Sequence, residues 1–374
     1  MAKLGDICTK ITDGSHNPPQ GISHSEYLML SSKNIYDDEI TLDDPRYLSA
    51  ENYAIENKRT QISTGDILLT IVGTVGRAAV VSDSIKNICL QRSVAVIKPK
   101  SNLIDSRFLM YQLQSMRTHL EQEARGVAQK GIYLKQVENL QVKVPSMDEQ
   151  LRVVKKLDKV SELIALRKEQ LTKLDQLVKS RFIELFGDRY TNDKKWDNKP
   201  LYECADFYNG KAHEQVVDEN GEYILVTSRC IASDISDYRR TNALLFPLQV
   251  NDIAMVMSDV PNGRALAKCI LIDEDGKYTL NQRICCLRNY LFNPIFFYHL
   301  LNRHEYFLSF NDGNAQTNLR KDDLLACNII IPPLELQEQF AAFVKQTDKS
   351  KLAIQQSLDK LELLKKSIMQ EYFG

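Results

Sequence analysis

"LTKLDQLVKSRFIELFG", Leu171 to Gly187, is answered by "LDKLELLKKSIMQEYFG", Leu358 to Gly374. Aligned without gaps at an offset of 187, nine of the seventeen positions are identical: Leu171, Lys173, Leu174, Leu177, Lys179, Ser180, Glu184, Phe186 and Gly187 with their counterparts. The offset is half of the 374-residue length, so the repeat divides the whole chain. It also places Pro145 on Pro332 and Gln150 on Gln337, so "VPSMDEQ" answers "IPPLELQ". Upstream, Gly76-Arg77 falls on Gly263-Arg264, Tyr111 on Tyr298, and Ala128-Gln129 on Ala315-Gln316. With small shifts, "YLMLSSKNI" faces "YILVTSRCI", and Leu90-Gln91-Arg92 faces Asn281-Gln282-Arg283. The pattern predicts a tandem duplication: a variable globular unit and then a better-matched helix, twice.

The helices carry a heptad seam. Val153, Leu157, Val160, Ile164, Arg167, Leu171, Leu174 and Val178 step by fours and threes, the spacing that keeps one face of a helix against a partner. The second seam runs Phe340, Val344, Thr347, Lys351, Ile354, Leu358, Leu361, Lys365, Ile368, Tyr372 and is more polar. Each helix is expected to span about 40 residues, roughly 60 Å. Pro145 and Pro332-Pro333 mark the starts, acidic Asp148, Glu149 and Glu335 suit the positive end of the dipole, and Gly187 suits a stop. Two such helices can pair antiparallel about a pseudo-two-fold axis. An ordinary two-helix packing inside one domain is the plainer alternative. The boundaries expected from the repeat are 1–144 and 188–331 for the globular units, and 145–187 and 332–374 for the helices.

The globular units alternate short strands with turns. "GDILLTIVGTVGRAAVV" (Gly65 to Val81) reads as strand, Gly turn, strand, "SVAVIKP" (Ser93 to Pro99) as another strand, and "NDIAMVM" (Asn251 to Met257) as the second unit's counterpart of the first. A helix is expected over Ser106 to Ala124 and again over Asn293 to Phe310. The fold class is therefore α+β, a pseudo-two-fold duplication of two α/β units with two long antiparallel coiled-coil helices.

Composition sets limits. The hydrophobic fraction of 43% and charged fraction of 26% are ordinary for a globular protein. No apolar run approaches the roughly 18 residues of a membrane span, and "MAKLGDICTK" has no signal-peptide core. The expected compartment is the cytoplasm, with no membrane contact. The 8 cysteines form no C-x-x-C pair, so reduced thiols and no zinc framework are expected. The net charge of -1 lacks the basic excess of a protein that grips DNA alone. Either nucleic acid is not bound, or local patches and partner subunits supply the phosphate contacts.

Catalytic motifs fail one by one. Asn17-Pro18-Pro19 resembles the catalytic loop of DNA amino-methyltransferases, but Gln20 stands where a stacking aromatic belongs, and the F-x-G-x-G element for S-adenosylmethionine is missing. Gly210-Lys211 is followed by Ala212, so no phosphate loop is supported. His213-Glu214 and His304-Glu305 lack the second histidine of a zinc protease.

The order "LGDI…DGSH…SSKNI…GDILLTIVGTVGRAAVV…QRSVAVIKP…AQ…KVPSMDEQ", a long helix, and then the whole pattern again resembles the specificity subunit of bacterial and archaeal type I restriction-modification systems. The resemblance covers nearly the entire chain. It implies two target-recognition domains, each reading half of a bipartite double-stranded DNA site, with the helices as a ruler. It implies two docked methyltransferase subunits, with restriction/translocase subunits able to join. It implies a non-catalytic chain that holds no cofactor or metal, with S-adenosylmethionine, ATP and Mg2+ on the partners. The sequence departs from the pattern where "NDKKWDNKPL" (Asn192 to Leu201) precedes the second unit and almost nothing precedes Leu4. Trp196 has no counterpart, which puts closure of the first unit onto the helix ends in doubt.

Forked Arg, Gln and Asn side chains on loops are the chemistry of base reading. The candidates are Arg77 and Arg264 after the Gly turns, Lys33 and Arg229, Gln91 with Arg92, and Gln282 with Arg283. Gln129 with Lys130, and Gln316 with Asn318 and Arg320, precede the long helices. His16 is a further candidate, although a histidine holding the Asp13-Gly14 bend is its plainer role. For each of the others the plain alternative is a solvated or salt-bridged surface residue. Tyr111 and Tyr298 belong to apolar patterns and are expected in the core. Gln150 and Gln337, and the repeated Phe186-Gly187 and Phe373-Gly374, are expected as caps, anchors or partner contacts. Two further functions stay open: a coiled-coil interaction scaffold without DNA binding, and the specificity subunit of a related methyltransferase-nuclease system.

Overall fold

The repeat read from the sequence is a repeat of strand order. The computed structural model describes residues 1–124, 131–259, 265–311 and 317–374. The chain forms two compact units, Met1–Glu169 with Gln355–Gly374, and Gln170–Ile354.

In the first unit a four-stranded antiparallel sheet runs in the order Cys8–Asp13, Val94–Pro99, Ile67–Thr70, Ala78–Val80. A three-stranded sheet runs Arg46–Leu48, Tyr27–Leu30, Ile88–Leu90, the last two parallel. The second unit repeats both. Its four-stranded sheet runs Asp206–Asn209, Ile284–Arg288, Ile253–Val256, Cys269–Leu271. Its three-stranded sheet runs Arg239–Thr241, Tyr223–Val226, Tyr278–Leu280, again with the last two parallel. The central strands Ile67–Thr70 and Ile253–Val256 are buried at every residue. That suits their continuous apolar runs, which have no solvent face to alternate with.

A buried carboxylate starts each central strand. Gly65 (φ 87°) and Asn251 (φ 70°) take the left-handed conformation that glycine and asparagine tolerate best. Asp66 then accepts from Ser63 N at 2.8 Å and pairs with Lys98. Asp252 accepts from Gln249 N at 2.8 Å and takes a fork of bonds from the Arg288 guanidinium at 2.8 and 2.6 Å. These bonds hold the Arg288 guanidinium's pKa above its ordinary value. Both charges are out of water, so each is tolerable only because it is paired and hydrogen-bonded.

The expected 106–124 helix is two helices, Ser106–Ser115 and Arg117–Glu123. Met116 sits at φ -86°, ψ 4° and shares its N–H between Gln112 O and Leu113 O at 3.2 Å each. The expected 293–310 helix is likewise Pro294–Leu301 and Glu305–Leu308. There Arg303 adopts φ 56°. The Arg189 guanidinium donates to the carbonyls of His299, Leu300, Asn302 and Arg303 at 2.7–3.1 Å, satisfying carbonyls that a continued helix would have used.

The long helices are Met147–Phe186 and Leu334–Phe373. Every seam position named above is buried or half-buried. Their neighbours Leu166, Leu177, Leu363 and Leu364 are exposed. In the first unit Val153, Val154 and Leu157 join a core that Ile368, Met369, Tyr372 and Phe373 cover, and Lys168 pairs with Glu362. In the second, Val178, Phe182 and Phe186 pack with Phe340 and Val344, and Asp175 pairs with Lys351 at 2.6 Å. Within each unit the helix segments run antiparallel. The polar seam positions have partners too: Thr347 Oγ1 donates to Phe343 O at 3.0 Å, and Lys365 reaches Asp38.

Gln150 and Gln337 are buried joints between each globular part and its helix. Gln150 accepts from Asp105 N at 2.8 Å and donates to Leu103 O and Pro145 O. Gln337 accepts from Asn293 N at 2.9 Å and donates to Pro332 O. Asp105 and Asn293 are themselves the N-caps of the helices that follow them. Tyr111 is fully buried, with its hydroxyl donating to Asp158 at 2.7 Å. The first unit does close: Ala2–Lys3 pairs with Gln141–Val142, as Asn198–Pro200 pairs with Asn328–Ile330.

Candidate nucleic-acid interface

Four strand ends of each unit converge on one tight turn. In the first unit the turn is Gln91-Arg92-Ser93, between Ile88–Leu90 and Val94–Pro99. Gln91 N donates to Leu30 O at 2.9 Å, Arg92 N to Ser15 O at 2.9 Å, and Val94 N to Gln91 O at 3.1 Å. Ile71 N donates to Ser93 O at 2.9 Å, and Ile132 N to Ile71 O at 2.9 Å. Ser93 Oγ accepts from Ser32 N at 3.1 Å. The turn thus gathers the loops around Gly14–His16, Ser31–Asn34, Val72–Arg77 and Gly131.

The second unit makes four of these bonds. Asn281 N donates to Val226 O at 3.1 Å, Ile284 N to Asn281 O at 3.1 Å, Met257 N to Arg283 O at 3.2 Å, and Leu319 N to Met257 O at 2.7 Å. Gly14 and Gly210 occupy the same place. A Cβ on either would lie 2.1 Å from a carbonyl oxygen, of Leu90 or of Asn281, so only glycine lets the strand end approach the turn.

These bonds correct the sequence alignment by one residue. The partner of Gln91 is Asn281, not Gln282. Arg92 therefore corresponds to Gln282, and Ser93 to Arg283. The strand Tyr27–Leu30 does correspond to Tyr223–Val226, and Ser31 and Thr227 both open the short helices that carry Lys33 and Arg229.

His16, Lys33, Arg77, Gln91 and Arg92 are gathered in one loop cluster, and Arg229, Gln282, Arg283, Asn318 and Arg320 in the other. Gln129, Lys130, Arg264 and Gln316 lie outside the described residues. Most of the first cluster's cations are engaged. Lys33 pairs with Asp44 and holds that carboxyl below the usual carboxylate range. The Arg77 guanidinium lies 5.0 Å from the Tyr36 ring centroid. His16 Nε2 is 2.7 Å from Asp13 Oδ2, the bend-holding role. Arg117 makes a bidentate pair with Asp37 at 2.6 and 2.7 Å. Arg46 donates to Pro18 O and Pro19 O, so the Asn-Pro-Pro stretch is a loop pinned to a strand. In the second cluster Arg229 pairs with Asp237, and Gln282 Nε2 donates to Glu214 at 3.0 Å. Arg283 and Arg320 are exposed.

Sequence reading missed Tyr36, Lys211 and the two close-approach glycines. Lys211 lies where the first unit has Ser15, since it bridges Asn281 as Ser15 bridges Gln91. The signal was the shared Asp-Gly and Asn-Gly pairs, hidden because Gly210 lies 196 rather than 187 residues after Gly14.

The clusters offer donors and acceptors on fixed backbone. Burial pushes the thiols of Cys8, Cys89 and Cys327 up to about 12, far from a thiolate at neutral pH. Among the described residues no group of three or more His, Cys, Asp and Glu is placed to hold a metal ion. No helix of the described residues is long and apolar enough to cross a membrane.

Known proteins resemble this chain in sequence and fold. The family model for the type I restriction modification DNA specificity domain matches twice, over residues 1–176 and 191–364. The EcoBI type I restriction enzyme specificity subunit of Escherichia coli is 32% identical over 174 residues, 45% of this chain and 36% of that protein. The chain thus matches little more than a third of that relative's length. The MjaVIII specificity subunit of Methanocaldococcus jannaschii is 24% identical over 343 residues, 84% of this chain and 80% of that protein. A crystal structure of a type I restriction-modification S subunit from M. genitalium has the same fold, with TM-score 0.54 and 14% identity over 100% of this chain and 95% of that one. A structure concerning complex assembly and conformational transition of the type I system gives TM-score 0.56 at 16% identity, over 100% and 96%. With the family's domain matched across both units, the chain belongs to the type I restriction-modification DNA specificity family.

Proposed function

We propose that this chain is the sequence-reading subunit of a type I restriction-modification complex. Each loop cluster reads one half of a bipartite double-stranded DNA site, and the long helices set the spacer. Two methyltransferase subunits dock on the chain and carry S-adenosylmethionine; restriction/translocase subunits bring ATP and Mg2+. The chain itself is non-catalytic and works in the cytoplasm.

One observation carries this reading: the same hydrogen-bonded turn recurs in both units with different side chains on it. A duplicated scaffold with divergent readers is what a two-part target requires, since phosphates are alike everywhere and bases are not. The near-neutral net charge of -1 agrees with partners that supply much of the salt-dependent phosphate grip.

The test is methylome sequencing of a host carrying the methyltransferase with and without this chain. A bipartite adenine-methylation motif should vanish when the chain is removed. Methylation that persists unchanged would reject the proposal.

A further inference from the structure

Arg92 stands apart from the cations around it. Lys33, Arg46, Arg59, Arg77 and Arg117 are each held by a carboxylate, a carbonyl or a ring. The Arg92 side chain is exposed and makes no hydrogen bond, ion pair or ring contact among the described residues. Its backbone is fixed on every side: Gln91 N to Leu30 O, Arg92 N to Ser15 O, Val94 N to Gln91 O and Ile71 N to Ser93 O. A free guanidinium on the most constrained turn of the cluster is a rigidly based fork with five unused donors.

The second unit says what such a fork is for. The turn bonds put Gln282 at the register of Arg92. A phosphate contact would want a cation at both places, because every half-site carries the same phosphates. An amide at one and a guanidinium at the other is the substitution expected when the contacted group differs. Arg fits the O6 and N7 acceptors of guanine; Gln fits the N6 donor and N7 acceptor of adenine. The contact from Gln282 Nε2 to Glu214 Oε1 at 3.0 Å uses one amide hydrogen. It orients the amide and leaves its oxygen and second hydrogen for a base.

We propose that this turn position determines specificity in both units: Arg92 reads a guanine in one half-site, and Gln282 reads an adenine in the other. The proposal rests on the DNA-reading function above.

The test uses the full chain with its methyltransferase in a host whose methylome is sequenced. Arg92→Gln should change the requirement at a single guanine of one half-site, leaving the other half-site and the spacer intact. Gln282→Arg should change a single adenine of the other half-site. The untouched half-site reports in each case that the subunit is folded. Both variants methylating the original motif would overturn the assignment. If Arg92→Gln abolishes methylation, Arg92→Ala complexes are tested by competition binding against duplexes carrying each base pair in turn. Loss of a roughly 5- to 150-fold preference for one guanine supports base reading. Uniform weakening across all duplexes marks a phosphate contact and overturns it. A wild-type complex that yields no bipartite motif would instead reject the DNA-reading function itself.

Discussion

The two units share a strand order, a glutamine joint and a hydrogen-bonded turn, yet they are sealed to their helices by different mixtures of rings and charge. The second unit is sealed by rings. Phe186 packs against Phe296 and Phe340 at centroid distances of 4.6 and 5.7 Å, and Phe182 joins them. Trp196 Nε1 donates to Phe186 O at 2.9 Å, closing the helix end at Gly187 (φ 77°). The first unit packs Ile368, Met369, Tyr372 and Phe373 on its core and adds charge to that apolar seal. Lys365 reaches Asp38 and lies 5.3 Å from the Tyr111 ring centroid. Lys143 Nζ donates to Tyr372 O and Gly374 O at 3.0 Å each. Among the described residues only Phe108 and Phe373 make an edge-on ring contact there, at 5.2 Å. A lysine at the negative end of a long helix is common to both, since Lys194 reaches Glu184 O and Leu185 O. The difference teaches that one fold can be closed mainly by stacked rings, or by apolar packing reinforced with a polar network that salt and charge substitutions can reach.

The largest effect should come from the rings. Phe340→Ala removes a fully buried side chain from the centre of the second seal and should cost about 3–5 kcal/mol. Hydrogen exchange should show the second unit opening while the first keeps its protection. Equal loss of protection in both units would break the comparison.

Acid offers a second lever on the same side. Burial, with Arg189 nearby, lowers His299 and His304 of the second unit from 6.5 to about 4. Above pH 6.5 both are neutral folded or unfolded, so no stability is at stake. As pH falls from 6.5 towards 4, the unfolded chain takes up protons that the folded unit refuses. Stability should fall over that window, by on the order of 3 kcal/mol per histidine at its lower end. His299→Phe with His304→Asn keeps a ring beside Phe340 and a cap acceptor for Tyr306 N. The pair should flatten the acid loss measured by thermal melts; an unchanged pH slope would sink this account.

How far the sequence foretold all this follows from its periodicities. The seam was legible because a heptad writes itself into every third or fourth residue, and the buried strands because they are unbroken apolar runs. The turn at Gln91 and Asn281 was not. Tyr223 lies 196 residues after Tyr27, Asn281 lies 190 after Gln91, and Asp252 lies 186 after Asp66. Loops of unequal length between matched strands defeat any single offset, so Gln91 was matched to Gln282 instead of Asn281. Nor could sequence separate Arg92 from Lys33 or Arg77. Their difference lies in whether a partner from a distant loop reaches them. The helix break at Arg303 was hidden for the same reason: Arg189, which takes the carbonyls there, comes from elsewhere in the chain.

The smallest expected effect tests the polar seal. Asp38 sits at φ 66°, in the loop that follows the short helix Ser32–Asn34. Its carboxylate accepts from Gln114 Nε2 at 3.0 Å, Ser161 Oγ at 3.1 Å and Lys365 Nζ. It therefore ties the loop to both long helices within the first unit. Lys365→Met keeps the aliphatic stem on Tyr111 and removes only the charge. Gln114 and Ser161 still satisfy Asp38, so the cost should be about 1 kcal/mol rather than that of an orphaned buried carboxylate. The wild-type first unit should lose protection as salt rises, and Lys365→Met should lose most of that salt dependence. The second unit, whose helix segments carry the Asp175–Lys351 pair, should respond less to salt and not at all to Lys365→Met. If the variant melts with wild-type salt dependence, the first seal does not rest on its ion pair, and the two units are closed by the same means after all.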